Sequence, residues 1–400
     1  LAYHAQRGEV WDKALTYLRT AGTQAYTRGG LEEAIERYQA ALSILTGLPP
    51  SHDAMRLSID LRLDLHAPMV TVGRAQEMVE LYEHGQRLAR ELDDDVRLGR
   101  IFERMSLLSW LGGDYQAGAD YARQALAVAA ASDDAITRLN AHYFLGLHRH
   151  ALGDYHAAIP CFEYVVEGRD APLAPRVIAV TTPVDVPAWS WLAFSSMMAG
   201  DLGRAEVATR RAVIAAEASE FPQARVIART IEGVVLGYAG RASMCVASLE
   251  ATIELCEKTR FFVWLAAAFS TLGLVLTRAG MAASALPHLE RGVALNEKTR
   301  IRAYHSQRYS WWAEGLLRAG RLDEAAARAQ TAIDLARQMH ERGVEAESLL
   351  VRAQVADGLG RHAEAKEGFE QSLALSAEIG APLLQAHGYL GLVRVLAGSG

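Results

Sequence analysis

The sequence predicts an all-α chain, a right-handed α-solenoid of helical hairpins with a period near 40 residues. Three observations carry this expectation. A Gly followed by a polar or turn-forming residue recurs at Gly113, Gly153, Gly200, Gly240, Gly280, Gly320 and Gly360, at successive spacings of 40, 47, 40, 40, 40 and 40. Seven residues before each Gly stands a small residue (Ser106, Gly146, Ala193, Gly233, Gly273, Ala313, Ala353), and five after it a second mostly small set from Gly118 to Ala365. The string Glu257-Lys258-Thr259-Arg260 returns as Glu297-Lys298-Thr299-Arg300, again one period on.

Each unit is therefore a helix, a tight turn at the Gly, and a second helix. The Gly supplies backbone angles that other residues resist, and the two small columns are expected to face each other across the hairpin. A bulky column eleven residues before the Gly (Phe102, His142, Trp189, Phe269, Tyr309 and, before Gly398, His387) is expected to wedge between helices. Weaker anchors at Gly29, Gly73 and Gly398 extend the series towards both ends. In chain order, residues 1–30 read as junction helices and 31–167 as N-terminal repeats. Residues 168–187 form a Pro-rich insertion loop, and 188–400 hold C-terminal repeats, all in a single solenoid. Within the insertion, Pro172, Pro175, Pro183 and Pro187 and the β-branched run before Val184 disfavour helix. Pro160 and Pro287 share an offset of seven from their Gly, which places both near the start of a second helix, where a missing N–H is tolerated. Pro222 and Pro382 open first helices, and Pro68 should kink its helix.

The small, Gly-turn, small and aromatic pattern resembles the tetratricopeptide repeat, as in Leu152-Gly153-Asp154-Tyr155-His156-Ala157-Ala158-Ile159 and Ala319-Gly320-Arg321-Leu322-Asp323-Glu324-Ala325. A period of 40 exceeds the usual figure of about 34, which lengthens each helix by roughly three residues, or about 4.5 Å.

Composition narrows the function. The chain has 400 residues, 50% apolar and 22% charged, with a net charge of −6 and no basic stripe, which argues against nucleic acid as a partner. No apolar run reaches the length needed to span a bilayer. The three cysteines, Cys161, Cys245 and Cys256, are far apart and form no CxxC pair, so buried thiols in a reducing, cytoplasmic setting are expected. The sequence begins at Leu1 and reads as the continuation of a longer chain.

Motifs of chemistry are absent: no GxxxxGK[ST], no HExxH, no GxSxG. His142, His148 and His150 lack carboxylate or thiolate partners at ligand spacing, so no metal or cofactor is expected. Asp93-Asp94-Asp95 and, one period later, Asp133-Asp134 fit loops that lead into helix N-termini. Enzymatic activity within these residues is not expected.

A partner is expected on the concave wall, at about ten, six and three residues before each Gly. Those columns (Glu103, Tyr143, Ser190, Thr230, Ser270, Ser310 and Leu107, Leu147, Phe194, Val234, Leu274, Glu314) carry no Lys, Arg and Asn clamp for an acidic chain terminus. What remains is an aromatic and basic set, Arg104, Trp110, His150, Trp191, Arg308 and Trp311, of the residue types that most often carry binding energy. The partner is a protein or peptide, with a small-molecule effector left open.

The opening through Arg19, the segment Glu33 to Leu42, and the closing segments Ala332 to Gly343 and Pro382 to His387 resemble a bacterial signalling family. In it, a class III adenylate/guanylate cyclase domain and a P-loop ATPase domain precede a long tetratricopeptide region. The resemblance implies the sensor or docking arm of such a protein. Two alternatives stand beside it: the ligand-sensing solenoid of an ATPase-type transcriptional regulator, and a free-standing adaptor.

Overall fold

A computed structural model describes residues 10–74, 77–168, 177–178, 182–259 and 261–398. Among the described residues the fold is all-α apart from one two-residue antiparallel pair. The helices are α1 (Trp11–Thr27), α2 (Leu31–Thr46), α3 (His52–Asp64), α4 (His66–Thr71), α5 (Met78–Glu91), α6 (Asp95–Gly112), α7 (Tyr115–Ala131), α8 (Ala135–Ala151) and α9 (Tyr155–Glu167). After the insertion come α10 (Asp185–Met198), α11 (Leu202–Glu217), α12 (Pro222–Tyr238), α13 (Val246–Thr259), α14 (Phe262–Arg278), α15 (Ala282–Thr299) and α16 (His305–Arg318). The series ends with α17 (Leu322–Met339), α18 (Arg342–Gly358), α19 (His362–Glu378) and α20 (Pro382–Gly398). Consecutive helices pack as antiparallel hairpins, an α-solenoid of tetratricopeptide-like units with a period near 40.

The turn glycines behave as their spacing requires. Gly113, Gly153, Gly200, Gly240, Gly280, Gly320 and Gly360 all have φ between 71° and 85°, in the left-handed region. The turns between hairpins recur with the same period, at Arg300, His340 and Gly380, again with positive φ. The aspartates also stand as read. Asp94 accepts a hydrogen bond from the Arg97 backbone N–H at 3.1 Å, and Asp134 accepts from Thr137 at 3.2 Å, so each caps a helix.

Other expectations are corrected. The glycines seven before the turn face the residue nine after it. A Cβ at Gly146 would meet Phe162, one at Gly233 would meet Leu249, and one at Gly273 would meet Leu289, each within 3 Å. At these three positions the missing side chain makes room for a large one on the partner helix, whereas Ala353 lies against Gly368 and Ala313 packs with Ala329. Pro160 and Pro287 are each the sixth residue of their helix, past the four orphan N–H groups, so each removes a helical hydrogen bond that the packed helix tolerates. Pro68, by contrast, kinks the helical run as expected: α4 resumes one residue after α3, with Leu65 between them still in the right-handed region at φ −65°. The proline ring excludes the carbonyl of Asp64, and α3 ends there.

The insertion expected at 168–187 falls largely outside the described residues. Within it, Val177 pairs with Pro183 and Ile178 with Thr182. Helix α10 begins at Asp185, two residues before the expected loop end, with Pro187 in its first turn.

The chain divides into two compact units: residues 1–108 with 120–141, and residues 109–119 with 142–400. The first has its core around Ile35, Tyr38, Ile59, Leu61, Leu65, Met78, Tyr82 and Phe102. Arg97 clamps Asp60 through two hydrogen bonds of 2.8 and 3.0 Å.

The second unit closes on itself. The turns of its early hairpins abut the inter-hairpin turns of its late ones. Arg302 N–H donates to the Leu111 carbonyl at 2.8 Å, and Tyr304 N–H to the Tyr115 hydroxyl at 3.0 Å. Tyr115 in turn donates to Glu341 at 2.7 Å, a contact spanning 226 residues of sequence. Gly200 lies against Pro382, and Gly343 against the Tyr155 hydroxyl, where no side chain would fit. Closure turns the first helices inwards. The column expected on an open wall ten residues before each Gly is sealed instead: Ser190, Thr230, Ser270 and Ser310 are at most 1% exposed. Ser190 and Thr230 return their hydroxyl protons to the carbonyls of Val186 and Val226, four residues back. Among the described residues no helix is long and apolar enough to cross a membrane.

Candidate functional site

Inside the second unit the first helices enclose two neighbouring spaces of different chemistry. The larger is a cleft of about 870 Å³ floored by α12, α14, α16, α18 and α20. Its polar heart is Arg278, which donates to Glu314 at 2.9 and 3.2 Å and to Glu347 at 3.2 Å, while its guanidinium lies 4.1 Å from the centre of the Tyr238 ring. Tyr238 donates its hydroxyl proton to Glu347 at 2.6 Å, and the Trp311 indole N–H donates to Tyr238 at 3.4 Å. One guanidinium thus serves two buried carboxylates, each of which would be costly to bury alone. Burial pulls the Arg278 pKa down, but the fields of Glu314, Tyr238 and Glu347 outweigh it and the net shift is upwards. Burial raises Glu347 against the opposing pull of Arg278. Around this core the wall is accessible. Arg318, His387, Leu390 and Arg394 are exposed, and the half-buried Leu317 adds apolar surface.

The smaller space is a cavity of about 50 Å³ walled by Trp110, Trp191, Trp264, Tyr304, Arg308 and Trp311. Four of the six residues singled out from the sequence meet here: Trp110, Trp191, Arg308 and Trp311. His150 adjoins them, with its ring 5.1 Å from Trp191 and 6.2 Å from Tyr304 and its Nδ1 2.8 Å from the Ser195 hydroxyl. Burial lowers its pKa to about 3, so it stays neutral. Arg104 belongs to the first unit, where it lies 3.4 Å from Glu103. His142 stacks on Tyr164 at 3.9 Å, and His148 lies against Tyr115, so the three histidines of α8 serve separate contacts. Among the described residues no group of His, Cys, Asp or Glu is arranged to hold a metal.

No protein-family model matches the chain, and no curated protein matches it. Solved structures do. The apo form of the quorum sensor NprR from B. thuringiensis is similar with a TM-score of 0.56 and 12% identity, over 91% of this chain and 99% of that one. A Rap protein complexed with Competence and Sporulation Factor gives 0.54 and 13%, over 85% and 98%. NprR in complex with its cognate peptide NprX gives 0.51 and 12%, over 96% and 97%. At these identities the likeness shows the fold alone.

The cleft residues went unseen in the sequence, although two signals were present. Glu314 is the one carboxylate in the column six before the Gly, which is apolar from Leu107 to Leu274 and ends on Gln354. The column two before it runs Leu111, Ala151, Met198, Tyr238, Arg278, Arg318, turning basic where the cleft opens. The thiols hold no surprise: Cys161, Cys245 and Cys256 are buried and free, and burial raises Cys245 to about 11 and Cys256 to about 12.

Proposed function

We propose that this chain is a non-catalytic regulatory scaffold that takes a peptide or protein segment into the charged cleft of its second unit. The observation that carries this is the cleft itself. Its volume lies within the roughly 300–1,000 Å³ of ligand pockets. Its fixed ion-pair core is ringed by accessible Arg318, His387, Leu390 and Arg394. The carboxylates are committed to Arg278 and Tyr238 as acceptors, an arrangement suited to holding shape and charge. Support also comes from proteins of the same fold, since NprR was solved with its cognate peptide and a Rap protein with Competence and Sporulation Factor. A segment bridging five first helices favours one curvature of the stacked hairpins and so biases whatever is attached to them. The resemblance of the terminal segments to cyclase–ATPase–tetratricopeptide proteins supports the finer reading, a cytoplasmic sensor or docking arm of such a signalling protein.

The test is selection of binders from a random-peptide display library on the full chain. Affinities of the selected peptides are then measured for wild type and for the double variant Arg318→Glu/Arg394→Glu. Both positions are exposed, so the fold should survive, which circular dichroism checks. Binding is expected to weaken at least tenfold. No enrichment over an unrelated protein, or equal affinity for the variant, overturns the reading. For the finer reading, a P-loop and a cyclase domain encoded upstream of Leu1 support it, and a nearby start codon with neither overturns it.

A further inference from the structure

We propose that the tryptophan-walled cavity of the second unit is a binding site for a small carboxylate. The inference goes beyond the cleft reading and does not rest on it. Arg308 is 8% exposed, and among the described residues it makes no ion pair. Its Nη1 donates to the carbonyls of Ala303 and Tyr304, both at 2.8 Å, and its Nε is buried with no partner. Burial lowers its pKa to about 10, against the fields of Tyr115, Glu341 and Tyr304. The Glu341 carboxylate itself is occupied by the hydroxyls of Tyr115 and Ser306. Two further wall residues carry unsatisfied groups: the indole N–H of Trp110 and the hydroxyl of Tyr304 are buried without a hydrogen-bond partner.

A cation and two more groups able to donate thus line one small space, and each is costly to bury unsatisfied. Donors in that number call for an acceptor with two oxygens and negative charge. A planar carboxylate matches a guanidinium edge better than any neutral group does. A tetrahedral phosphate would leave oxygens against indole faces, where nothing compensates them. The volume of about 50 Å³ exceeds the roughly 10–15 Å³ a single water needs, so it has room for a carboxylate on a short alkyl stem. The half-buried Trp110, Trp264 and Ile301 stand at its edge. Such a group comes either from a free short-chain acid or from the C-terminus of a peptide.

Four wall tryptophans supply the readout. Tryptophan fluorescence and melting temperature of the full chain are followed with sodium acetate and propionate, and with acetamide, propionamide and sodium chloride at matched ionic strength. A short apolar tripeptide is compared with its C-terminal amide. Saturable fluorescence change and a raised melting temperature are expected with carboxylates and not with amides or chloride. Arg308→Met should weaken the response at least tenfold. Trp110→Phe keeps an aromatic ring at this half-buried position but loses the N–H and should weaken it severalfold, which serves if the first variant folds poorly. Response to the free acids assigns the site to small acids, and response to the tripeptide acid alone assigns it to a chain terminus. Equal response to acids and amides, response to neither acid source, or a response unchanged in both variants overturns the proposal.

Discussion

Replacing Glu341 with Gln tests the closure of the second unit. Glu341 is fully buried at the turn before α18, accepting from the hydroxyls of Tyr115 and Ser306. Burial raises its pKa to about 7, against the pull of Ser306, Tyr115 and Arg308. A carboxyl raised in the folded state gives stability that is complete below its unfolded value, near 4.5, and is lost as pH rises through 7. At about 1.4 kcal/mol per pH unit the full loss is about 3 kcal/mol, of which about 2 kcal/mol falls between pH 5.5 and 8. Gln does not ionise. Relative to wild type, Glu341→Gln should therefore gain about 2 kcal/mol on going from pH 5.5 to 8. The neutral buried His150 and His305, whose lowered pKa values of about 3 and 4 cost stability as pH falls below 6.5, act alike in both proteins and cancel. The assay is urea unfolding followed by tryptophan fluorescence, since Trp11 alone of the seven tryptophans lies outside the second unit. A wild-type-to-variant difference that stays flat across this range would refute the buried-carboxylate account of the closure.

Further outcomes follow from the same contacts. Gly343→Ala places a Cβ on the Tyr155 hydroxyl and should destabilise the second unit by about 1–3 kcal/mol, with partial rescue by Tyr155→Phe in thermal melts. Arg278→Leu strands Glu314 and Glu347 and should cost about 3–5 kcal/mol near neutral pH. Because the folded Glu347 pKa is already raised, that penalty should grow with rising pH and shrink in acid, as urea titrations at pH 5 and 8 would show. The three cysteines should resist alkylation at pH 8 in the native chain and label fully once unfolded, by mass spectrometry.

The hairpins were legible because their causes are local. A left-handed turn selects Gly113 and its equivalents, an N-cap selects Asp94 and Asp134, and a Pro at residue 68 kinks a helix. The closure was not legible, because it depends on contacts between residues such as Tyr115 and Glu341 that no repeat period links. Its one trace is a carboxylate at the register position that holds Ile301 one period earlier and Ala381 one period later. The site was half legible for the same reason. Trp110, Trp191, Arg308 and Trp311 stood out as residue types and do share one cavity. Their neighbours in the cleft became a group only when inward-turned helices brought Arg278, Glu314 and Glu347 together. In the serine and threonine column, Ser190 and Thr230 can be sealed at little cost because each bonds back to its own helix, while the hydroxyls of Ser270 and Ser310 are buried without a partner.

The most direct measurement is hydrogen exchange of the full chain with and without a peptide selected on it. The account predicts added protection concentrated in α14, α16, α18 and α20, lost in the Arg318→Glu/Arg394→Glu variant. Protection confined to the first unit or to outer second helices, with those four helices unchanged, would contradict it.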